Sequence, residues 1–204
     1  LSAICGIMSF QKKLIARDRI QSLVQKLDKW GPDHQKVISD EWVGLGQASL
    51  YTTPESIEKW DPHRKPTKDK FIVADCRLDN RNELMQRLSY NGELLSDAEL
   101  ILMAYEKWQD DCVLYLKGDF SFAIWDKRQQ KLLCARDHLG IRPLFYRRNN
   151  NEFIFASHMC ALFNPEEQLK INKNYLIDYI YLQGVPPENS TPYTDIHRIS
   201  KGPV

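Results

Sequence analysis

The stretch DFSFAIWDKRQQKLLCARD, residues 119–137, places the tightest limit on the fold of this chain. Two runs of alternating apolar and polar residues flank a polar turn, the pattern of an antiparallel hairpin. LFYRRNNNEFIFAS (144–157) repeats the design, with Asn149, Asn150 and Asn151 at its turn. Two hairpins in succession commit this half of the chain to antiparallel pairing. Ahead of them, AICGIMSF (3–10) reads as a short buried strand ended by the polar QKK. IQSLVQKLDKW (20–30) sets Ile20, Leu23, Val24 and Leu27 at helical spacing, and Gly31-Pro32 stops it. KVISDEWVGLGQASLY (36–51) and KFIVADCRLD (70–79) are strand-like, around a Pro- and Lys-rich loop over 59–70. RNELMQRL (81–88) and SDAELILMAYEKW (96–108) read as helices, with Ser96 as N-cap and Glu99 completing a capping box. NYLIDYIYLQG (174–184) predicts another helix, after which VPPENSTPY (185–193) is a proline-rich connection. Strands and helices in this order predict an α+β fold of antiparallel sheets covered by helices, not a doubly wound parallel sheet.

The 204 residues suffice for a sizeable core, and the formal net charge of +1 offers nucleic acid no electrostatic footprint. The five tryptophans do not interleave with basic residues, which also argues against a nucleic-acid platform. Cys5, Cys76, Cys112, Cys134 and Cys160 are odd in number and contain no C-x-x-C pair, so a reducing cytoplasm is expected rather than a disulfide framework. Neither a signal peptide nor an apolar run of the roughly 18 residues that a membrane span needs is present.

Four stretches together resemble one family. CGI at 5–7, W-GPD at 30–33, FSFAIWDKRQQKLLCARDHLGIRPLFY at 120–146 and FIFASHMCAL at 153–162 look like the N-terminal amidotransferase domain of asparagine synthetase. The likeness runs from about Ala3 to about Pro203. It implies a class II glutamine amidotransferase-like domain with the αββα sandwich of the N-terminal-nucleophile hydrolases: two stacked antiparallel sheets between helical layers. One such domain is expected over 1–204, with 172–204 leading towards an ATP-dependent synthetase domain. The chain contains no Ser-Gly-Gly-Leu-Asp-Ser phosphate loop, so ATP and Mg are expected in that further domain and no cofactor or metal in this one.

The chemistry implied by the resemblance is demanding. A cysteine thiolate attacks the glutamine amide, with the cysteine's own α-amine as general base. An α-amine, with a pKa near 8, suits that task, whereas a peptide nitrogen is not basic. By the resemblance Cys5 stands at the nucleophile's place, yet Leu-Ser-Ala-Ile precedes it. Ser49 takes the place of the substrate arginine, and one hydroxyl cannot replace a bidentate guanidinium clamp. Asp75, Cys76 and Arg77 stand where an Asn-Gly-Glu motif would form the oxyanion hole. A carboxylate there repels a developing oxyanion, and losing a single donor costs about 10²–10³ in rate. Asp97 alone matches, as the aspartate that meets the substrate amine. Cys5 is therefore expected to be a buried structural thiol and the glutaminase to be lost. An active glutaminase would instead require removal of LSAI.

Other residues invite functional readings. Asn91-Gly92-Glu93 spells the missing motif, but it follows the helix RNELMQRL and reads as a helix-ending turn with positive φ. Arg136 and Asp137, with Gly140 and Pro143, read as an internally paired loop between hairpins. His158-x-Cys160 is too short and isolated for a zinc site, which wants four ligands.

Two groups of asparagine-synthetase relatives dispense with glutamine: the β-lactam synthetases and the cyclases that close the macrolactam ring of lasso peptides. In phrasing, LYTTPESIEKW, ADCRLDNRNEL and SDAELILMAYEKW resemble the second group more. The expected role is a scaffold for the synthetase domain, with a peptide substrate or leader-peptide-binding protein as a further partner. The rivals are a working glutaminase and a stand-alone binding module.

Overall fold

A computed structural model describes residues 2–51, 69–92, 95–164, 167–184 and 189–202. Strands β1 (Ala3–Ser9), β2 (His34–Asp40), β3 (Val43–Ser49), β7 (Phe145–Arg148), β8 (Glu152–Ala156) and β9 (His197–Arg198) form a six-stranded sheet in the order β2-β3-β1-β8-β7-β9. Strands β4 (Lys70–Leu78), β5 (Gly118–Asp126) and β6 (Lys131–Arg136) form a second sheet in the order β4-β5-β6. All strand pairs in both sheets are antiparallel.

Three apolar clusters reveal the layers. Ile4, Leu45, Val73, Ala123, Trp125 and Phe155 fill the space between the sheets. Outside the six-stranded sheet, helix α1 (Arg17–Gln25) and the short α4 (Met159–Leu162) pack on Ala3, Cys5, Ile7 and Ala48. Outside the three-stranded sheet, α2 (Arg81–Arg87) and α3 (Asp97–Trp108) cover Ile72, Ala74, Phe120 and Phe122. This is the αββα arrangement. Strand alternation produces it, because successive residues of β1 and β4 face opposite layers.

Glycine lets α1 sit close against its sheet. A Cβ on Gly44 would lie 2.3 Å from Ile20, and one on Gly46 would lie 2.3 Å from Val24. The capping box on α3 forms as the sequence predicts: Ser96 Oγ accepts from the Glu99 N–H at 3.2 Å, and Glu99 Oε2 accepts from the Ser96 N–H at 2.7 Å. Such a cap contributes about 1 kcal/mol.

Several boundaries differ from the sequence reading. The helix expected over 20–30 begins at Arg17, ends at Gln25 and yields to a separate 3₁₀ turn, Asp28–Trp30. The Leu27 N–H donates to Val24 O at 2.8 Å, which tightens the chain and buries Leu27 in the core. The single strand-like stretch 36–51 is two strands, folded back at Glu41 with φ 51°. Of the loop expected over 59–70, residues 59–68 lie outside the described residues. After α2 the positive φ falls on Ser89 (φ 56°), not on Asn91 or Gly92. Tyr90 and Ser89 donate to Met85 O and Gln86 O, so the helix is already capped before Asn91. Glu93 lies outside the described residues. The helix expected over 174–184 is α5 (Lys173–Tyr181), which buries Tyr175 and exposes Leu176, Ile177, Ile180 and Tyr181. The elements α4 and β9 carry no periodicity of their own and form only through packing and pairing with β7. No helix among the described residues is long and apolar enough to cross a membrane.

Candidate functional site

Cys5 lies in the middle of β1, opposite Gly46 on one side and Ala156 on the other. It is fully buried, in the cluster that packs under α1. Its Sγ lies over Gly46, 3.0 Å from where a Cβ would stand, beside Val24 and Ile20. Burial in this apolar layer pushes its thiol far above the usual range. Burial thus disfavours the thiolate that a nucleophilic cysteine uses.

Ser49 belongs to the other face of the same sheet. Along β3, Gly44, Gly46 and Ala48 face α1, whereas Val43 and Leu45 enter the space between the sheets. By the same alternation Gln47 and Ser49 face that space, and both are buried. Gln47 ties the two sheets together. Its Oε1 accepts from the Ala74 N–H at 3.1 Å and its Nε2 donates to Ser49 Oγ at 3.4 Å.

Asp75 and Cys76 are divided in the same way on β4. Asp75 is 7% exposed and points between the sheets, with Ser121 opposite it on β5 also buried. Its carboxylate is paired with Arg142 (Nη1 to Oδ2, 3.5 Å) and accepts from the Ser2 backbone N–H. Burial raises its pKa above the usual carboxylate value, with Arg142 as the main opposing influence. Cys76 turns towards the helices, its thiol pushed up to about 12 by burial and by Asp75. Arg77 is exposed at the strand end, paired with Asp79 at 3.3 Å and Asp119 at 3.5 Å.

Asp97 is engaged in scaffold bonds. Its Oδ2 accepts from the Leu78 N–H at 2.9 Å and its Oδ1 pairs with Arg81, whose other nitrogen donates to Leu95 O. The carboxylate thereby joins the end of β4, the start of α2 and the start of α3.

Among the six positions singled out from the sequence, Ser49 and Asp75 share a buried polar cluster, whereas Cys5 and Cys76 face outward to the helical layers. The cluster includes residues that the sequence reading passed over: Ser2, Gln47 and Arg142. Gln47 was detectable as the lone amide in VGLGQAS. Arg142 lies within the stretch ARDHLGIRP, where only Arg136 and Asp137 drew attention. No group of three His, Cys, Asp or Glu among the described residues could hold a metal ion. His158 stacks on Trp30 at 3.6 Å between ring centroids, and Cys160 Sγ donates to Lys26 O, so each has a packing role.

The αββα architecture is that of an amidotransferase fold. The glutamine phosphoribosylpyrophosphate amidotransferase from B. subtilis superposes with a TM-score of 0.62 over 78% of this chain and 42% of its own, at 17% identity. Residues 1–204 match the glutamine amidotransferase domain family, to which the chain belongs. It is similar to two glutamine-hydrolyzing asparagine synthetases of Bacillus subtilis (strain 168). Asparagine synthetase 3 is 29% identical over 209 residues, covering 97% of this chain and 33% of the relative. Asparagine synthetase 1 is 29% identical over 208 residues, covering 98% and 33%. The chain thus spans about a third of the length of these relatives, as an amidotransferase domain of the asparagine-synthetase type.

Proposed function

We propose that this chain is the amidotransferase-like domain of an ATP-dependent, amide-forming ligase of the asparagine-synthetase type, and that it does not hydrolyse glutamine. The observation that carries the reading is the position of Cys5. It sits in mid-strand with no exposed surface, on the sheet face away from Ser49 and Asp75. Its nitrogen is a peptide nitrogen and its thiol is held protonated, so it has neither base nor nucleophile. The substitutions at 49 and 75–77 and the engagement of Asp97 by Arg81 support the same conclusion.

The domain acts as a scaffold for a synthetase domain that holds ATP and Mg. The apolar surface of α5 is a candidate for part of that contact. A ligase whose amine and carboxylate reside in one substrate needs no ammonia, which is why macrolactam formation of the lasso-peptide kind is the favoured chemistry. The phrasing of ADCRLDNRNEL and SDAELILMAYEKW supports that choice over β-lactam formation. A peptide substrate or a leader-peptide-binding protein would then be the further partner, in the cytoplasm. The test is glutamate release from L-glutamine by this chain, with its N-terminus fixed by intact mass. The expected result is no turnover. Turnover that Cys5→Ala abolishes would overturn the proposal.

A further inference from the structure

Asn91-Gly92 has no place in the site between the sheets, and its surroundings suit a different chemistry. Helix α2 is closed before it, since the Ser89 and Tyr90 N–H groups donate to Gln86 O and Met85 O. Neither the Asn91 side-chain amide nor the Gly92 N–H makes a hydrogen bond among the described residues. Both residues are exposed. A Cβ at position 92 would lie 2.6 Å from Tyr90 Oη, and glycine leaves that space open. The Gly92 nitrogen can therefore turn towards the Asn91 side chain with no bond to break and no branch in its path.

The structure holds or hinders the other asparagines. Asn80 donates from Nδ2 to Tyr115 O at 2.9 Å and accepts at Oδ1 from the Lys117 N–H at 3.0 Å. Asn172 caps α5, its Oδ1 accepting from the Tyr175 N–H at 3.1 Å. In the turn at 149–151, Asn149 Oδ1 accepts from the N–H groups of Asn151 and Glu152. Those two bonds also engage the nitrogens that follow Asn150 and Asn151. Asn82 and Asn174 lie within helices, and Asn164 precedes a proline, which has no N–H. Asn189 precedes Ser190, whose Cβ crowds the nitrogen. Asn91 alone precedes glycine.

We infer that Asn91 is a modification site, at which the folded chain converts its own asparagine to aspartate and isoaspartate through a cyclic imide. The Gly92 peptide nitrogen gives its proton to solvent base and attacks Asn91 Cγ. The Cγ–Nδ2 bond breaks, and the leaving nitrogen takes up a proton and departs as ammonia. Water then opens the ring. Cleavage between the nitrogen and Cγ gives aspartate in a normal backbone. Cleavage between the nitrogen and the main-chain carbonyl carbon gives isoaspartate, with the chain running through Cγ. The sum is one water consumed and one ammonia released, with no change of oxidation state. The product carries a carboxylate in place of an amide, which lowers the formal net charge by one from +1. Asn91 belongs to none of the three apolar clusters, so the conversion leaves the fold in place.

The test is to age the folded chain in warm neutral buffer and follow every asparagine by tryptic peptide mass spectrometry, with chromatography to separate aspartate from isoaspartate. Conversion at Asn91 should lead that at any other asparagine by at least about fivefold, and its rate should lie within about fivefold of that in the chain unfolded in guanidinium chloride. A smaller lead, or a greater slowing on folding, would overturn the inference. Gly92→Ala should slow the conversion about tenfold, because the added Cβ obstructs the attacking nitrogen. An unchanged rate in that variant would reject the attack by this nitrogen. The added methyl meets only the end of the Tyr90 side chain, and an unaltered unfolding midpoint checks that the variant folds. Asn91→Asp supplies the charge reference: the aged chain should gain a species that elutes with it in anion exchange, and failure to do so would also count against the site.

Discussion

Two stretches that carry the family resemblance, ARDHLGIRP at 135–143 and CGI at 5–7, hold very different places in the folded chain. In the first, every named charge has an internal task. Asp137 is 1% exposed; its Oδ1 accepts from the N–H groups of Leu139 and Ile141, and its Oδ2 accepts from that of Arg142. Arg136 donates to the carbonyls of Gly140, Arg142 and Ile199. Gly140, at φ 70°, supplies the left-handed turn that closes the loop. In the second stretch, Cys5 is packed under α1, and the positions on β3, β4 and α3 that the resemblance groups with it lie on other strands and faces. The first motif is held by bonds among its own members, whereas the second depends on residues far away in the sequence.

The largest effect that would sharpen this contrast is in the loop. Asp137→Ala removes the buried carboxylate that accepts from three N–H groups and should cost about 2–4 kcal/mol, with Asp137→Asn recovering part of it. Urea unfolding measures both; a loss below 1 kcal/mol would mean that the loop is not self-supporting.

Next comes the Trp30–His158 stack, which joins W-GPD to FIFASHMCAL. Burial, aided by Lys29, lowers the His158 pKa from 6.5 to about 4. The unfolded chain therefore takes up a proton below pH 6.5 that the folded chain refuses until about pH 4. Stability from this group is complete above pH 6.5 and is lost as the pH falls through that window. After allowance for partial exposure the loss is about 2 kcal/mol. His158→Phe should keep the stack and flatten the pH dependence of the unfolding midpoint between pH 7 and 4.5. An equally steep profile in the variant would assign the effect to other groups.

On the pocket side, Cys5→Ala should behave as a core truncation and nothing more. A loss of about 1–2 kcal/mol is expected from the vacated space between Gly46, Val24 and Ile20. In the native chain Cys5 should resist a thiol reagent that labels it after unfolding. Rapid native labelling would show that β1 opens, and would break the contrast drawn above.

The smallest effect is on α5. Ile180 and Tyr181 are 76% and 84% exposed, so Ile180→Glu and Tyr181→Glu should change stability by no more than about 0.5 kcal/mol. A larger loss would mean that this helix packs more tightly on its own domain than its exposure implies.

The alternating runs at 119–137 and 144–157 determined two antiparallel hairpins, because a period of two admits no other element. The α3 helix and its capping box were equally legible, since their signals lie within four residues of one another. The structured loop at 136–143 was legible too, although its two charges bond backbone groups, Arg136 the carbonyls and Asp137 the N–H groups. What the sequence could not determine was which face of a sheet each pocket residue would occupy. A strand presents alternate residues to opposite sides, and only pairing with its neighbours decides which side meets a helix and which meets the second sheet. Cys5 and Cys76 therefore went to the helices and Ser49 and Asp75 to the interior. The same holds for Ser2, Gln47 and Arg142, 140 positions apart at the extremes, which no local pattern could assemble. Their meeting is a tertiary event, driven by the need to pair a carboxylate and a guanidinium that the stacking of the sheets has removed from water.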